Sequence, residues 1–461
     1  MKLFGEYDVV VVGAGMTGVV ASITAARQGA RTLLIESSGL IGGLITGGRL
    51  TKPTGVVQPG VYRELITRAA RYGGADPQTQ RSYWGAYTGV FDAEVMQRVI
   101  IDALEETSVE VLLFAHATGV IDDAGQVKGI QLHTKEGPQL VTAHTVIDAT
   151  GDGDVAALAG AEFMMGRDDG LMQPMTSYFR ILNVDVTALA EDCQQHPDDI
   201  SELVVPERAT SNADHVLTFF ATGFTQRIAE ARDSGFGWIV PRNSITMKAG
   251  MLPGEVNVNV TRVQGNALDS RLRSRAVLEI RKQAYCAFDF LQKYVAGFAD
   301  AVLLDVAPVL GVRETRRITG DYTLTELDVT NEARFDDAIG LCNAPIDIHE
   351  PGGERAIMRG VGSGYGIPYR VMLPTGIEGL LTAGRCIAAD PVAFGSTRNT
   401  PACALTGQAA GIAAAKAAEE GVNPRGLRVS EVQSELRALD VVLGTDASDR
   451  LAEATNTAAA S

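Results

Sequence analysis

The start of the chain alternates between apolar runs and glycine-rich breaks. Four valines at 9–12 follow Tyr7 and Asp8, and an apolar run bounded by glycines predicts a strand buried on both faces of a parallel sheet. A helical pattern over 19–28 comes next, and a second aliphatic run over 31–35 ends in Glu36. Strand, turn, helix, strand and acidic residue within about 30 residues are typical of a nucleotide-binding βαβ unit.

The turn at 13–18 reads Gly-Ala-Gly-Met-Thr-Gly, and each glycine has a mechanical task. Gly13 permits the tight turn, Gly15 lets the backbone approach a pyrophosphate, and Gly18 lets the helix pack closely on the strand. The helix N-terminus offers free N–H groups to phosphates, and Glu36 is placed to accept hydrogen bonds from ribose hydroxyls. The predicted dinucleotide contacts here are Gly13, Ala14, Gly15, Met16, Thr17, Gly18 and Glu36.

Further periodic segments predict an α/β architecture. A helix is expected over 93–106 and strands over 109–114, 119–121, 127–133, 145–148 and 379–381, with an alanine-rich helix over 402–420 that begins after Pro401. Alternation over 255–260 and a helical pattern over 266–295 indicate a second region with a mixed sheet and helices. The block from about 185 to 305 carries no recognisable motif.

Composition narrows the class of protein. The chain has 461 residues, 46% of them hydrophobic, and contains no apolar tract long enough to span a bilayer. A formal charge of −16 argues against binding to nucleic acid or an anionic membrane surface. The five cysteines are dispersed without a CxxC pair, which favours reduced thiols and no metal site. With no room for a signal peptide before the first strand, we expect a cytoplasmic protein.

Several short motifs carry a family resemblance. They are Ser-Ser-Gly-Leu-Ile-Gly-Gly at 37–43, Ala-Thr-Gly-Asp-Gly-Asp at 149–154, Gly-Val-Arg-Glu-Thr-Arg-Arg-Ile at 311–318, Ile-Pro-Tyr-Arg at 367–370, Ala-Gly-Arg-Cys-Ile at 383–387 and Ser-Thr-Arg-Asn-Thr-Pro at 396–401. With them the chain resembles FAD-dependent oxidoreductases of the glutathione-reductase structural type, in the subgroup related to fumarate reductase and succinate dehydrogenase flavoproteins. The resemblance touches both ends and the middle of the chain.

The resemblance implies the cofactor, the fold and more contacts. It implies FAD, held by a Rossmann-like domain with a central parallel sheet, plus a mixed α+β substrate (cap) domain. Residues 1–60, 91–160 and 375–423 are expected to form the FAD-binding domain and 161–374 the cap, with a loosely ordered tail at 447–461. The added cofactor contacts are Ser37, Gly42, Gly43, Leu44, Thr150, Gly151, Asp152, Gly384, Arg385, Asn399 and Thr400.

Two absences exclude the disulfide reductases of this structural type. The CxxxxC redox pair is missing, and the glycine-rich stretch at 360–366 has no apolar strand before it and leads to Pro368, so we interpret it as a loop.

The catalytic candidates are His349, Arg398 and Arg49. His349 is a candidate proton acceptor or donor, although a histidine packed at a domain interface fits equally well. Arg398 precedes the flavin-facing helix and is suited to stabilise reduced flavin or clamp a carboxylate. Arg49 follows the glycine-rich turn, where a surface arginine is as plausible as one near N5.

The sequence pattern around the other reactive side chains indicates structural roles. Arg313, Arg316 and Arg317 around Glu314 are more typical of an ion-pair network than of a substrate clamp. Cys386 and Cys403 are expected to be small buried thiols.

The leading hypothesis is a dehydrogenase or oxidase that moves hydride from a small anionic organic substrate to flavin N5. Oxygen, a quinone or a redox protein would reoxidise the flavin, and the oligomeric state stays open, a homo-oligomer included. Reduction of an activated C=C bond, an electron-transfer subunit and a non-redox FAD protein are the alternatives.

Overall fold

The computed structural model describes residues 1–76, 79–82, 85–205, 219–352 and 356–445. The tail predicted at 447–461 lies outside these residues. The described strands are, in chain order, β1 (Lys2–Val12), β2 (Thr32–Ile35), β3 (Thr79–Ser82), β4 (Gly85–Thr88), β5 (Glu110–Leu112), β6 (His116–Asp123), β7 (Gln126–Thr134), β8 (Gly137–Asp148), β9 (Phe163–Met165), β10 (Phe179–Leu182), β11 (Ile200–Val204), β12 (Phe220–Gly223), β13 (Ile245–Ala249), β14 (Val256–Asn259), β15 (Val302–Val306), β16 (Arg316–Ile318), β17 (Ala338–Cys342), β18 (Ile346–His349), β19 (Ala356–Arg359), β20 (Tyr365–Pro368) and β21 (Leu380–Thr382). The described α-helices are α1 (Met16–Arg27), α2 (Val61–Arg71), α3 (Ala93–Glu106), α4 (Asp154–Leu158), α5 (Val186–Gln195), α6 (Thr225–Asp233), α7 (Ser270–Tyr294), α8 (Glu326–Thr330), α9 (Pro391–Thr397), α10 (Thr400–Glu420) and α11 (Val429–Ala438).

The central sheet has seven strands and a parallel core. Its order is β5-β2-β1-β8-β7-β6, and β21 also pairs with β8. The pairs β5–β2, β2–β1, β1–β8 and β8–β21 are all parallel, whereas β7 and β6 continue the sheet antiparallel. The valines at 9–11 are completely buried, as expected of a strand covered on both faces. The predicted Rossmann-like fold is confirmed.

Two helices cross at unusually close range on one face of this sheet. A Cβ atom placed on Gly407 of α10 would lie 2.4 Å from the carbonyl oxygen of Thr17, and one on Gly411 would lie 2.4 Å from that of Ala21. Only glycine at both positions lets the backbones of α1 and α10 approach this closely. The two helix N-termini are therefore held near each other.

The second sheet has six antiparallel strands in the order β11-β12-β13-β14-β10-β15. One face packs on α5, α6 and α7 through buried apolar side chains that include Phe179, Met247 and Val258. The opposite face is polar and carries Arg180 and Thr246 among others, because side chains alternate along each strand. This sheet lies in the sequence between α4 and β21, as do three two-stranded ribbons, β16–β9, β17–β20 and β18–β19.

The glycine-rich stretch at 360–366 is a loop over 360–364, as expected, but the strand that precedes it was not predicted. The strand β19 precedes the glycine-rich stretch at 360–366 and pairs with β18, and β20 begins inside that stretch. The short β19 was missed because it is mostly exposed, with Ile357 at 52%, so it lacks an apolar run. In the described part of the chain, no helix has both the length and the hydropathy needed to cross a membrane.

Candidate functional site

A cavity of about 550 Å³ opens at the carboxyl ends of β1 and β2, where ligands bind in open α/β sheets. We call it the site cavity. Most of the predicted contacts line it, although they come from distant parts of the sequence. They are Gly13, Gly15, Met16, Thr17, Glu36, Ser37, Gly42, Gly43, Leu44, Thr150, Gly151, Asp152, Arg385, Arg398 and Thr400.

The three glycines of the first turn have the geometry that their tasks require. Gly13 has a φ of 102°, and a Cβ atom there would lie 2.6 Å from the carbonyl oxygen of Ala149. A Cβ atom on Gly18 would lie 1.8 Å from the carbonyl oxygen of Gly13. A Cβ atom on Gly15, by contrast, meets no protein atom within 4 Å. Gly15 therefore faces open space that a ligand can occupy.

Two helix N-termini at the cavity have no side-chain cap. Gly15 precedes α1 and Asn399 precedes α10, and neither helix receives a capping hydrogen bond from a side chain. By comparison, Asp92 and Asp269 cap α3 and α7. The first N–H groups of a helix need an acceptor and carry the positive end of its dipole. The cavity thus presents two uncapped N-termini that favour anionic groups.

Glu36 stands at the carboxyl end of β2 in a fixed orientation. One carboxylate oxygen accepts a hydrogen bond from the N–H of Ala14 at 2.9 Å, and the other accepts from the N–H of Ser38 at 2.8 Å. These bonds explain why Ala14, which does not line the cavity, belongs to the site. The unpredicted residues Ala115 and His116 also line the cavity, because the segment after β5 runs beside β2.

An ion-pair network crosses the cavity wall. Asp152 accepts hydrogen bonds from Arg385 at 2.6 Å and from the hydroxyl of Thr315 at 2.7 Å. Burial alone would raise the pKa of Asp152, but Arg385 and Thr315 outweigh it and lower that pKa. Arg273 on α7 lies 3.5 Å from the same carboxylate. A helix that packs on the second sheet thus reaches the site cavity.

Several predicted residues lie outside the cavity lining. Gly18 and Gly384 are close-packing positions, since a Cβ atom on Gly384 would lie 2.5 Å from the hydroxyl of Thr17. Asn399 donates from its side chain to the carbonyl of Pro345 at 3.2 Å. Arg49 forms ion pairs with Glu94 at 3.1 Å and Asp305 at 3.0 Å, and so ties the turn to α3 and to the second sheet.

Behind Arg398, a buried polar group connects the cavity to the second sheet. Nη2 of Arg398 lies 3.1 Å from Oδ2 of Asp347 and 3.3 Å from the side-chain oxygen of Gln173. Nε2 of His349 lies 3.3 Å from Oδ1 of Asp347. On the other side of the imidazole, Nη2 of Arg262 lies 3.4 Å from Nδ1. His349 and Arg398, predicted separately, therefore share one carboxylate.

Four arginines converge here, and we call them the arginine cluster: Arg242, Arg262, Arg313 and Arg398. The first three are between 2% and 9% exposed. Burial, together with the charge of Arg398, lowers the pKa of Arg313 to about 9. Burial also lowers the pKa of Arg262, and the charges of Arg313 and Arg242 add to the effect. Shifts of this kind arise where like charges outnumber their counter-ions.

Among the described residues, Asp347 is the carboxylate that directly contacts the arginine cluster. Burial would raise its pKa, but His349, Arg398 and Arg313 lower it well below the usual range. Burial and the charge of Arg313 hold the pKa of His349 well below its usual value, so the imidazole is neutral at pH 7. Four guanidinium groups thus face one carboxylate. An anionic ligand would offset this excess charge.

The three arginines of the basic motif at 311–318 contact different partners. Arg317 pairs with Glu314, and Arg316 pairs with Asp154 at 2.9 Å. Arg313 instead points to the arginine cluster, where its Nη1 donates to the carbonyl of Pro174 at 2.6 Å. No sequence signal identified Arg242, Arg262, Asp347 or Gln173 as site residues, and only the fold brings them together.

The remaining candidates are structural. Burial raises the pKa of Cys403 to about 12 and that of Cys386 well above its usual value, so both thiols stay protonated. A larger groove of about 1060 Å³ along α2 contains none of the predicted site residues. The described residues contain no cluster of three or more metal-ligating side chains.

The sequence matches the family described as FAD dependent oxidoreductase over residues 8–436. Among curated proteins, it is 30% identical over 175 residues to digeranylgeranylglycerophospholipid reductase 2 of Methanopyrus kandleri, a match that covers 36% of this chain and 41% of that protein. It is 26% identical over 137 residues to 3-oxosteroid 1-dehydrogenase of Mycolicibacterium smegmatis, covering 30% of this chain and 17% of that protein. Both matches span less than half of the relative's length.

Among solved structures, a geranylgeranyl bacteriochlorophyll reductase-like protein from Thermoplasma acidophilum covers 99% of this chain and 96% of its own. The sequence identity is 14% and the TM-score is 0.46.

Proposed function

The chain belongs to the FAD-dependent oxidoreductase family, and from that premise we propose that it transfers hydride between a small anionic organic substrate and N5 of FAD. FAD supplies the hydride chemistry when bound, while the protein binds, orients and shields the reactants. The observation that carries the choice of substrate is the arginine cluster, in which three buried guanidinium groups and that of Arg398 face the carboxylate of Asp347.

The residues present fit FAD. The uncapped N-terminus of α1 and the open space at Gly15 suit a pyrophosphate, and Glu36 suits a ribose. The uncapped N-terminus of α10 suits the negative charge of a reduced flavin. We therefore assign FAD binding to 1–60, 91–160 and 375–423, and substrate binding to 161–374.

The arginine cluster supports an anionic substrate through its surplus of positive charge. Arg398 lines the site cavity and also contacts Asp347, so it joins the cofactor side to the substrate side. Its guanidinium can hold a carboxylate in a bidentate way. A protein that only carries electrons has no need for such a buried anion site, which disfavours the electron-transfer alternative.

His349 serves to position its neighbours in this proposal. Both ring nitrogens face partners, since Nδ1 lies near Arg262 and Nε2 near Asp347. A proton acceptor needs a free lone pair directed at the substrate. His349 therefore holds Asp347 and Arg262 in place rather than taking the substrate proton.

Oxidation as a dehydrogenase or oxidase is the leading direction, and reduction of an activated C=C bond is the second candidate. Two observations favour the second: one relative is named a reductase, and buried arginines stabilise the negative charge that forms on an unsaturated acid during hydride addition. The proposal includes the affiliation with the fumarate-reductase subgroup and a cytoplasmic location, which five free thiols support.

Anaerobic spectroscopy tests the proposal. Oxidised holoenzyme is mixed with small acids, amines and alcohols, and light-reduced holoenzyme with unsaturated acids, while flavin absorbance is followed. We expect acids to react and uncharged analogues not to react. Admission of air, a quinone or a redox protein then identifies the acceptor. Bleaching by dithionite alone, with no organic compound active in either direction, would contradict the proposed function.

A further inference from the structure

Tyr178, beside the second sheet, is linked to the arginine cluster, because its hydroxyl contacts Asn259, which also contacts Arg262. Tyr178 immediately precedes β10, and its carbonyl accepts a hydrogen bond from the N–H of Ala307, which extends the sheet by one residue. The alternating residues Phe179 and Ile181 are completely buried on the apolar face. Tyr178 is half-buried.

Hydrogen bonds fix the direction of the Tyr178 hydroxyl. Arg262 has only donors, and its Nη1 lies 2.9 Å from Oδ1 of Asn259, so that atom is the amide oxygen. The amide nitrogen of Asn259 must then face Tyr178, where it donates to the hydroxyl oxygen at 3.2 Å. A hydroxyl that accepts this bond keeps its own proton for another partner. Within the described ranges of the chain, no group accepts that proton.

Tyr178 also lies at the place where an anionic substrate is expected. Asn259 connects it to Arg262, Arg262 to His349, and His349 to the carboxylate shared with Arg398. Burial raises the pKa of Tyr178, although the charges of Arg313 and Arg262 oppose the rise. The phenol is consequently neutral at pH 7 and carries its proton.

The members of the cluster and the residues that contact it, Asp347 and His349, are already occupied. His349, Arg398 and Arg313 keep Asp347 ionised. Both ring nitrogens of His349 face partners. The guanidinium groups of Arg262 and Arg313 already donate to the carbonyl oxygens of Thr261 and Pro174. Tyr178 is thus the polar group of this set that has both a proton to give and a direction in which to give it.

We propose that Tyr178 is the catalytic residue that exchanges the proton accompanying hydride transfer, a role that rests on the proposed function. In the reductive direction, the bound cofactor would supply hydride to one carbon of the substrate's C=C bond, and the π bond would break. The Tyr178 O–H bond breaks as its proton forms a C–H bond at the adjacent carbon, next to the carboxylate. Solvent then returns a proton to the phenolate. Oxidation runs these steps in reverse.

The first test uses the wild-type holoenzyme. Light-reduced enzyme is mixed anaerobically in ²H₂O with fumarate, maleate, crotonate and cinnamate, and the products are analysed by NMR. A proton delivered by one fixed side chain places deuterium on a single face of the carbon next to the carboxylate. Deuterium on both faces would show that solvent supplies the proton directly, and would overturn the role of Tyr178.

The second test is Tyr178→Phe, which removes the hydroxyl and keeps the ring. Positioned acids contribute about 10²- to 10⁴-fold in rate, so flavin reoxidation by the reactive acid should slow by about 10²-fold or more. Reoxidation by oxygen, which needs no proton on carbon, should be unchanged. Tyr369→Phe is the matched control, because that buried hydroxyl donates to the carbonyl of Pro424 away from the cluster.

The outcomes separate the two proposals. If the wild type reacts with an acid and Tyr178→Phe reacts at the same rate, the role of Tyr178 is overturned while the proposed function stands. If the wild type reacts with no acid in either direction, the proposed function is overturned, and the role of Tyr178 with it. Loss of rate in Tyr178→Phe together with single-face deuteration supports both.

Discussion

Nη2 of Arg262 lies 3.4 Å from Nδ1 of His349, and this contact fixes the protonation of the imidazole. A guanidinium group only donates, so Nδ1 is the acceptor and the ring proton resides on Nε2, which faces Asp347. The ring is thereby neutral and held from both sides. The neutral ring adds no charge, so the surplus of positive charge here is that of the four arginines over the single carboxylate of Asp347.

Gly15→Val should give folded but colourless protein. No protein atom lies within 4 Å of a Cβ atom at this position, so the side chain meets only the space assigned to the pyrophosphate. Absorbance of the purified protein reports FAD content, and circular dichroism reports folding. Gly237→Val is the matched control, because a Cβ atom there is equally free of contacts and lies outside the site cavity. Stoichiometric FAD in Gly15→Val would contradict the assignment of this turn.

Arg398→Lys should slow reduction of the flavin more than it disturbs folding. Lysine keeps the charge but loses the planar fork that contacts Asp347 and Gln173. A hydrogen bond to a charged group contributes about 1.5–3 kcal/mol, so the rate should fall about 10- to 100-fold. Stopped-flow absorbance measures the rate. Arg359→Lys, at the ion pair with Glu326, serves as the control. Equal rates would place Arg398 in the scaffold.

Asp347→Asn should weaken the fold and strengthen anion binding. Removal of one partner of a buried ion pair costs about 3–5 kcal/mol, here because the arginine cluster loses its contacting counter-ion. Added sulfate should therefore raise the melting temperature of the variant more than that of the wild type. Asp169→Asn, at an exposed ion pair with Arg167, controls for general salt effects. Equal responses to sulfate would argue against a surplus of positive charge at this place.

The free energy of unfolding should decrease below pH 6.5 because of His349. Burial and the charge of Arg313 lower its pKa in the folded protein. Above pH 6.5 the residue is neutral in both states and contributes no slope. As the pH falls below 6.5, the unfolded chain takes up a proton that the folded protein refuses, so stability decreases by at most about 1.4 kcal/mol per pH unit. His349→Asn should remove this part of the slope between pH 6.5 and 5, as measured by urea unfolding. An unchanged slope would mean that His349 is protonated when folded.

The sequence predicted the first βαβ unit and its glycine turn well because their determinants are local. The spacing of Gly13, Gly15 and Gly18 and the distance to Glu36 are set by one turn, one helix and one strand. The helix over 93–106 has the predicted bounds, and the strands around it differ only at their ends. Most of the expected contacts line one cavity, although their role in holding FAD is still a proposal.

Most residues at and around the arginine cluster were not predicted, because they come from distant segments of the chain. Arg242, Arg262 and Tyr178 lie on or beside strands of the second sheet, whereas Asp347 and His349 come from a ribbon far along the chain. Apart from His349, the sequence marks none of these residues, since an arginine or tyrosine on a strand looks like any other exposed residue. Arg49 illustrates the same limit, because its ion pairs with Glu94 and Asp305 could be known only from the fold.

The sequence by itself determined the βαβ unit, the glycine turn and the family resemblance, because backbone sterics and short-range spacing act within a few tens of residues. Tertiary structure alone decided which charges meet. The antiparallel second sheet turns one face of scattered polar side chains toward Arg398, and burial there converts four ordinary arginines and one carboxylate into a site with surplus positive charge. Long-range electrostatics of this kind depend on distance in space, which the order of residues does not specify.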